Sequence, residues 1–120
     1  MPDYPYPLYY GPAILDKNPE LGRNFMVAYL QGVKQYNEGK TERNLAIMEN
    51  YTHLSRELLN QSCWYPIAED GNILWKLIGE YIDWSYANKD IPQKLTEDQL
   101  YDMSYVTYAN GMLQNMTDNR

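Results

Sequence analysis

The sequence is poor in the side chains that most catalytic and metal sites require. It has one cysteine, Cys63, and one histidine, His53, in 120 residues. A single cysteine excludes an internal disulfide framework and a multi-cysteine zinc site. His53 and Cys63 can be drawn as a nucleophile pair with Glu69 or Asp70 as the orienting acid. No positive charge or helix N-terminus that would activate the thiol is evident near Cys63, and its aromatic neighbours favour a buried thiol. We therefore predict no catalytic residue, no metal, no cofactor and no enzymatic activity.

Basic residues and long apolar runs are also scarce. Ten Lys and Arg against sixteen Asp and Glu give a net charge of −6. This balance argues against nucleic acid as the main partner, because phosphate binding needs clustered positive charge. No segment is long and apolar enough to cross a bilayer, and the N-terminal residues do not show the basic start and apolar run of a signal peptide. We expect no membrane insertion and, for the chain as written, a cytoplasmic location.

What the sequence does contain is a set of helical patterns. They predict a mainly α protein with four to five helices, forming a single helical domain over residues 1–120. Residues 1–16 are expected to be extended, because Pro2, Pro5 and Pro7 fix φ and remove donors. Within them, residues 8–15 are predicted to form one short strand. Residues 17–120 are expected to be helical.

Several helix starts carry capping signals. Asn18 can accept from free N–H groups, Pro19 suits the first helical position, and a helix is predicted to follow. Further helices are predicted after Thr41, Ser55 and Asn72. Thr96 and Gln99 fit a capping box, and Asp102 or Ser104 can cap the last helix.

Apolar residues spaced by three and four positions predict the buried face of each long helix. The predicted faces are Leu21, Phe25, Ala28, Tyr29, Gly32, Val33 and Tyr36 in the first; Leu45, Ala46, Met48 and Tyr51 in the second; Leu74, Leu77, Ile78, Tyr81, Ile82 and Ser85 in the third; and Tyr105 or Val106, Tyr108, Ala109, Met112, Leu113 and Met116 in the last.

The predicted strand has no convincing partner within the chain. A lone strand leaves backbone donors and acceptors open. Pairing with the same strand of a second copy across a two-fold axis would satisfy them. We therefore predict a homodimer whose fold is completed by dimerisation, with a loop at residues 8–15 as the alternative.

Thirteen tyrosines are an unusual number for a chain of this length. Tyr4, Tyr6, Tyr9 and Tyr10 cluster at the start and are a candidate interface, since tyrosine combines an apolar ring with a polar tip. The helical tyrosines, Tyr29, Tyr36, Tyr51, Tyr81, Tyr105 and Tyr108, are interpreted as half-buried edges of the core.

The order of these signals resembles a family of known proteins. Residues 11–39 read GPAILDKNPELGRNFMVAYLQGVKQYNEG, and several modest motifs follow in sequence. The later motifs are Asp70-Gly71-Asn72, then Tyr81, Ile82 and Trp84, then residues 95–100, then Tyr105-Val106 and Tyr108-Ala109-Asn110. Together they resemble the C-terminal region of the solute-binding proteins of ABC transporters for nitrate, alkylsulfonates, taurine and thiamine precursors.

The resemblance implies a non-enzymatic solute-binding protein, of a kind that usually works outside the cytoplasm. Members have two α/β lobes and bind solute between them, whereas this chain corresponds only to the closing helical part of one lobe. Its ligand-binding residues therefore stay unknown, and a complete ligand cleft is not expected. The alternative function is a small self-associating helical module that binds protein and no small molecule. If the chain is a solute-binding protein, a small-molecule solute is an expected partner.

Overall fold

The computed structural model describes residues 7–118 and shows a mainly helical protein, as predicted. No strand forms within that range, and none of its helices combines the length and hydropathy needed to cross a membrane. The helices are α1 (Pro12–Leu15), α2 (Pro19–Asn37), α3 (Glu42–Thr52), α4 (Arg56–Gln61), α5 (Trp75–Ala87), α6 (Glu97–Leu100) and α7 (Ser104–Asp118). The described part thus has seven helices where four to five were expected, and α1 and α6 are single turns.

The predicted caps form as the sequence indicates. The Asn18 side chain accepts from the backbone N–H of Leu21 at 3.2 Å, and Pro19 occupies the first position of α2. At α6, the Gln99 side chain accepts from the backbone N–H of Thr96 at 3.0 Å. Local side-chain chemistry therefore sets these helix starts.

The strand predicted at residues 8–15 is wrong. Residues 8–11 have no regular secondary structure, and Pro12–Leu15 forms a helical turn instead. The backbone N–H groups of Ile14 and Leu15 both donate to the carbonyl of Gly11. Pro12 favours this turn because its fixed φ suits a first helical position. The open strand edge that motivated pairing with a second copy is therefore not present.

The core lies between α2 and α7, which run parallel. Arg23 stands over the ring of Tyr108, with 5.9 Å between its guanidinium carbon and the ring centroid, and further along both helices the Gln31 amide lies 3.9 Å from the Met116 sulfur. Two parallel helices need a long connection between the end of the first and the start of the second. Residues 38–103, which include α3 to α6, form that connection. The buried cluster consists of Met26, Leu30, Tyr105, Val106 and Ala109.

The predicted face of α2 is largely wrong. Gly22, Met26, Leu30 and Val33 are its buried residues, so of the predicted set only Val33 is fully buried. Phe25 is exposed instead. Apolar residues occur nearly all round this helix, so their spacing does not identify one face. The buried face of α2 is determined by where α7 packs against it.

Of the seven residues named for the predicted face of α7, three are buried. Tyr105, Val106 and Ala109 are buried, while the exposed residues of the predicted set are Tyr108, Met112 and Met116. The stripe is wider than the surface that α2 covers. Part of it therefore stays open to solvent.

Polar side chains hold α3 and α4. Asn44 is buried and donates to the carbonyls of Gln35 and Gly39 at 2.7 and 2.8 Å, and its own oxygen accepts from the Gln35 amide at 3.1 Å. Arg56 of α4 donates to the Glu49 carboxylate of α3 at 2.6 Å. These bonds fix the turn after α2 and fasten α4 to α3.

Helix α5 has an exposed aromatic side. The helix buries Ile82 and Ser85 as predicted, but Tyr81 is 66% exposed against the prediction. Trp84 is 57% exposed and stacks on Tyr81, with 5.7 Å between ring centroids. An apolar aromatic pair thus faces solvent on this helix.

Candidate functional site

A large apolar cleft lies beside the α2–α7 core. It has a volume of about 730 Å³ and is bounded by residues 7–10, one side of α2, the loop at residues 65–74 and residues 100–106. We call it the tyrosine cleft, because six tyrosines of the described part of the chain line it. They are Tyr9, Tyr10, Tyr29, Tyr65, Tyr101 and Tyr105.

The N-terminal wall of the cleft is fixed by Tyr10. Its hydroxyl donates to the carbonyl of Gly22 at 2.8 Å. Its ring makes edge-to-face contacts with Tyr105 and Phe25, at centroid distances of 5.1 and 6.1 Å. Burial, followed by the neighbouring Tyr105, raises the pKa of Tyr10. The hydroxyl therefore stays a hydrogen-bond donor at neutral pH.

This close approach of Tyr10 requires a glycine on α2. A methyl group at Gly22 would lie 2.7 Å from Ile14 Cγ2 and 2.8 Å from the ring of Tyr105. Such distances are shorter than ordinary carbon contacts. Gly22 thus lets α1, α7 and the N-terminal wall meet on one side of α2.

The opposite wall is a loop held by two asparagines. Asn37, at the end of α2, donates to the carbonyl of Ile67 at 2.7 Å and accepts from the Ile67 N–H at 3.0 Å. Asn110 of α7 donates to the carbonyl of Asp70 at 2.8 Å. The side-chain amide of Asn37 pairs with backbone as a neighbouring strand would. The wall is therefore anchored to both core helices.

Gly71 brings that loop onto the core. It adopts a φ of 70°, in the left-handed region that glycine tolerates best. A methyl group there would lie 3.1 Å from Leu30 and 3.2 Å from Val106. The loop therefore sits directly against the buried cluster.

The third side of the cleft contains Asp102, the one charged residue among the described lining residues. Its side chain is exposed and accepts from the backbone N–H of Ser104 at 2.9 Å, so of the two predicted caps of α7, Asp102 is the one that bonds the start of the helix. Hydrogen bonds from the side chain and then the backbone of Ser104 lower the pKa of Asp102. Next to it, the pKa of Tyr101 is raised by burial and then by Tyr9 and Glu97. The carboxylate is therefore ionised at neutral pH beside neutral phenols.

The four candidate interface tyrosines differ in how far the structure describes them and in how exposed they are. Tyr4 and Tyr6 lie outside the described residues. Tyr9 is exposed on the cleft, whereas Tyr10 is half-buried against the core. The interface itself stays a prediction. Among the helical tyrosines, Tyr29 and Tyr36 are half-buried as interpreted, while Tyr51 and Tyr81 are largely exposed.

His53 and Cys63 take ordinary structural positions. His53 ends α3 with a φ of 57° and donates its backbone N–H to the Glu49 carbonyl. Cys63 is exposed, so the expectation of a buried thiol is wrong. The residues on either side of Cys63 in the chain, 62–68, are themselves exposed or only half-buried. Within residues 7–118, no three His, Cys, Asp or Glu side chains form a metal-binding group.

The sequence interpretation missed the residues that build the cleft walls. Asn37 and Asn110 are typical surface amides by residue type, and their partners are carbonyls at residues 67 and 70. A polar residue on the inward side of an amphipathic helix is the one signal that points to them. That signal requires the buried face to be known, and the face of α2 was misassigned.

Comparison with known proteins does not assign the chain to a family. No protein-family model, no curated protein and no solved structure matches it.

Proposed function

We propose that this protein is a non-enzymatic solute-binding module, related to the C-terminal part of the substrate-binding component of ABC transporters. The tyrosine cleft is the surface that contacts the solute. The observation that carries the proposal is a cleft of about 730 Å³, which falls within the range of about 300–1,000 Å³ for small-molecule sites.

Two further features support solute binding. The cleft walls are fixed in advance by Tyr10, Asn37 and Asn110, so little ordering is needed when a ligand enters. The lining is mainly apolar and aromatic, with a few polar groups that can orient a ligand. The sequence resemblance supplies the transport context.

A neutral fluorescent probe tests this proposal. N-phenyl-1-naphthylamine should bind the full chain saturably, with one probe per chain, and its emission should rise on leaving water. Ala68→Trp fills the cleft from the loop wall, and we expect at least tenfold weaker probe binding. Ala68 lines the cleft with an exposed side chain, so a larger residue there need not disturb the core.

The matched control is Ala46→Trp, on the exposed surface of α3 away from the cleft. It should bind the probe as the wild type does. Non-saturable binding, or equal loss in both variants, would contradict the proposal. Circular dichroism checks that both variants keep their helices.

A second candidate function is self-association, supported by the amount of exposed surface. The chain exposes 9288 Å², whereas a compact monomer of 14.2 kDa would expose about 6,800 Å². Its radius of gyration is 17.6 Å, against about 13.6 Å for a compact domain of this length. The difference in area is similar to what one subunit buries in a large obligate dimer, up to about 2,500 Å². A second copy is therefore the proposed occupant of the α5 surface at Tyr81 and Trp84.

Light scattering after size-exclusion chromatography tests self-association. Wild type should have the mass of a dimer across a wide concentration range. Trp84→Ser should weaken the dimer at least tenfold, because a tryptophan that becomes buried in an interface is often among the residues that contribute most to binding energy. Tyr51→Ser, on exposed α3, is the control and should remain dimeric. A wild-type monomer at all concentrations would rule out this function.

A further inference from the structure

We propose that the tyrosine cleft selects an organic cation with an aromatic body, such as a quaternary or protonated aromatic amine. This inference rests on the proposed function and names the class of solute. It depends on the aromatic rings of the cleft, on the charge of its described lining residues and on how the two are arranged.

Tyrosines are the main aromatic residues of the described cleft lining. Six of the lining residues between positions 7 and 118 are tyrosines, and Tyr101 is itself positioned by an edge-to-face contact with Trp75 at 6.3 Å. The face of an aromatic ring carries negative potential and attracts a cation within about 6 Å. Several such rings around one space favour an ammonium group with an apolar body.

The charge of the lining points the same way. Asp102 is the one ionisable carboxylate among the described lining residues, and no Lys, Arg or His is found among them. Glu97 lies close enough to Tyr101 to affect its titration. A cation would meet an opposite charge at the exposed Asp102 carboxylate, whereas an anion would meet a like charge. Nitrate- or sulfonate-like solutes are therefore disfavoured.

The charged residue and the aromatic pair of the cleft would contact different parts of a solute. Asp102 follows Tyr101 in the cleft lining, and the rings of Tyr10 and Tyr105, which also line the cleft, contact each other at a centroid distance of 5.1 Å. The charged end of a solute would therefore lie near residues 101 and 102. Its aromatic body would lie against Tyr10 and Tyr105, where burial of apolar surface adds to affinity.

Three ligands with one aromatic body test the inference. They are (1-naphthylmethyl)trimethylammonium, 1-naphthylmethanol and 1-naphthylacetate, titrated into the full chain by calorimetry. We expect the cation to bind about tenfold more tightly than the alcohol, and the acetate more weakly than both. Asp102→Asn should reduce the affinity for the cation by about threefold to tenfold and leave the alcohol unchanged.

Asp102→Asn keeps the fold because asparagine caps helices as well as aspartate does. Asp90→Asn makes the same change of charge outside the cleft lining and should leave all three affinities unchanged. A second pair of variants tests the aromatic ring of Tyr101. Tyr101→Phe should retain the affinity for the cation, while Tyr101→Leu should reduce it by about fivefold or more.

The outcomes separate this inference from the proposed function. If none of the three compounds binds, both are overturned. If all three bind equally, or the acetate binds most tightly, solute binding stands and cation selection is overturned. Equal effects of Asp102→Asn and Asp90→Asn, or an unchanged preference in Asp102→Asn, also overturn it.

Discussion

Leu30→Ala is expected to lower the free energy of unfolding by about 3 kcal/mol. Leu30 is 1% exposed, lies in the buried cluster between α2 and α7, and approaches Gly71 of the cleft loop. The truncation removes apolar contacts and leaves a cavity that a close-packed core fills only in part. Because the loop rests on the same side chain, the cleft should loosen together with the core.

Urea unfolding followed by circular dichroism measures this change. The control is Leu21→Ala in the same helix, where the leucine is 51% exposed and the expected loss is below about 1 kcal/mol. Similar midpoints for the two variants would contradict the assignment of Leu30 to the core. A changed slope would instead indicate a change in the surface exposed on unfolding.

Two glycines of α2 should respond in opposite ways to the same substitution. Gly22→Ala places a methyl group 2.7 Å from Ile14 and 2.8 Å from Tyr105, so neighbours must move. We expect a loss of about 2 kcal/mol even after the gain in helix propensity. Gly32→Ala meets no atom within 4 Å and should stabilise by about 0.5–1 kcal/mol.

Thermal unfolding of the two variants provides the comparison, since both make one identical change in one helix. A loss of stability in Gly22→Ala and a gain in Gly32→Ala would distinguish steric crowding at position 22 from the general effect of helix propensity. If Gly22→Ala were as stable as Gly32→Ala, then Tyr10 and α1 would not approach α2 as described. Gly22→Ala should also weaken probe binding in the tyrosine cleft, because the wall formed by Tyr10 must shift.

Helix starts could be predicted from the sequence because they depend on local chemistry. The side chains of Asn18 and Asp102 accept hydrogen bonds from backbone N–H groups two or three residues away, and the backbone N–H of Thr96 donates to the side chain of Gln99. Such bonds need no knowledge of the rest of the fold. Pro12 carries a local signal too, but apolar residues on either side of it were interpreted as a strand.

Helix faces could not be predicted with the same success. In α2, apolar residues occupy positions on every side, and Leu21 and Phe25 fit the spacing as well as Met26 does. The buried side is chosen by α7, far away in the sequence. The cleft was beyond sequence reasoning for the same reason, since its walls come from four separate parts of the chain.

The parallel pairing of α2 and α7 has a consequence for how the chain folds. These helices cannot meet until residues 38–103 close into a loop, which costs about 2–3 kcal/mol more entropy than the short loop of an antiparallel pair. The α3–α4 unit, fastened by Arg56 and Glu49, can form from local contacts alone. Folding should therefore be slower than for an up-and-down helical bundle of equal size. The apolar stripes of both core helices would be exposed until that late closure, a period in which aggregation competes with folding.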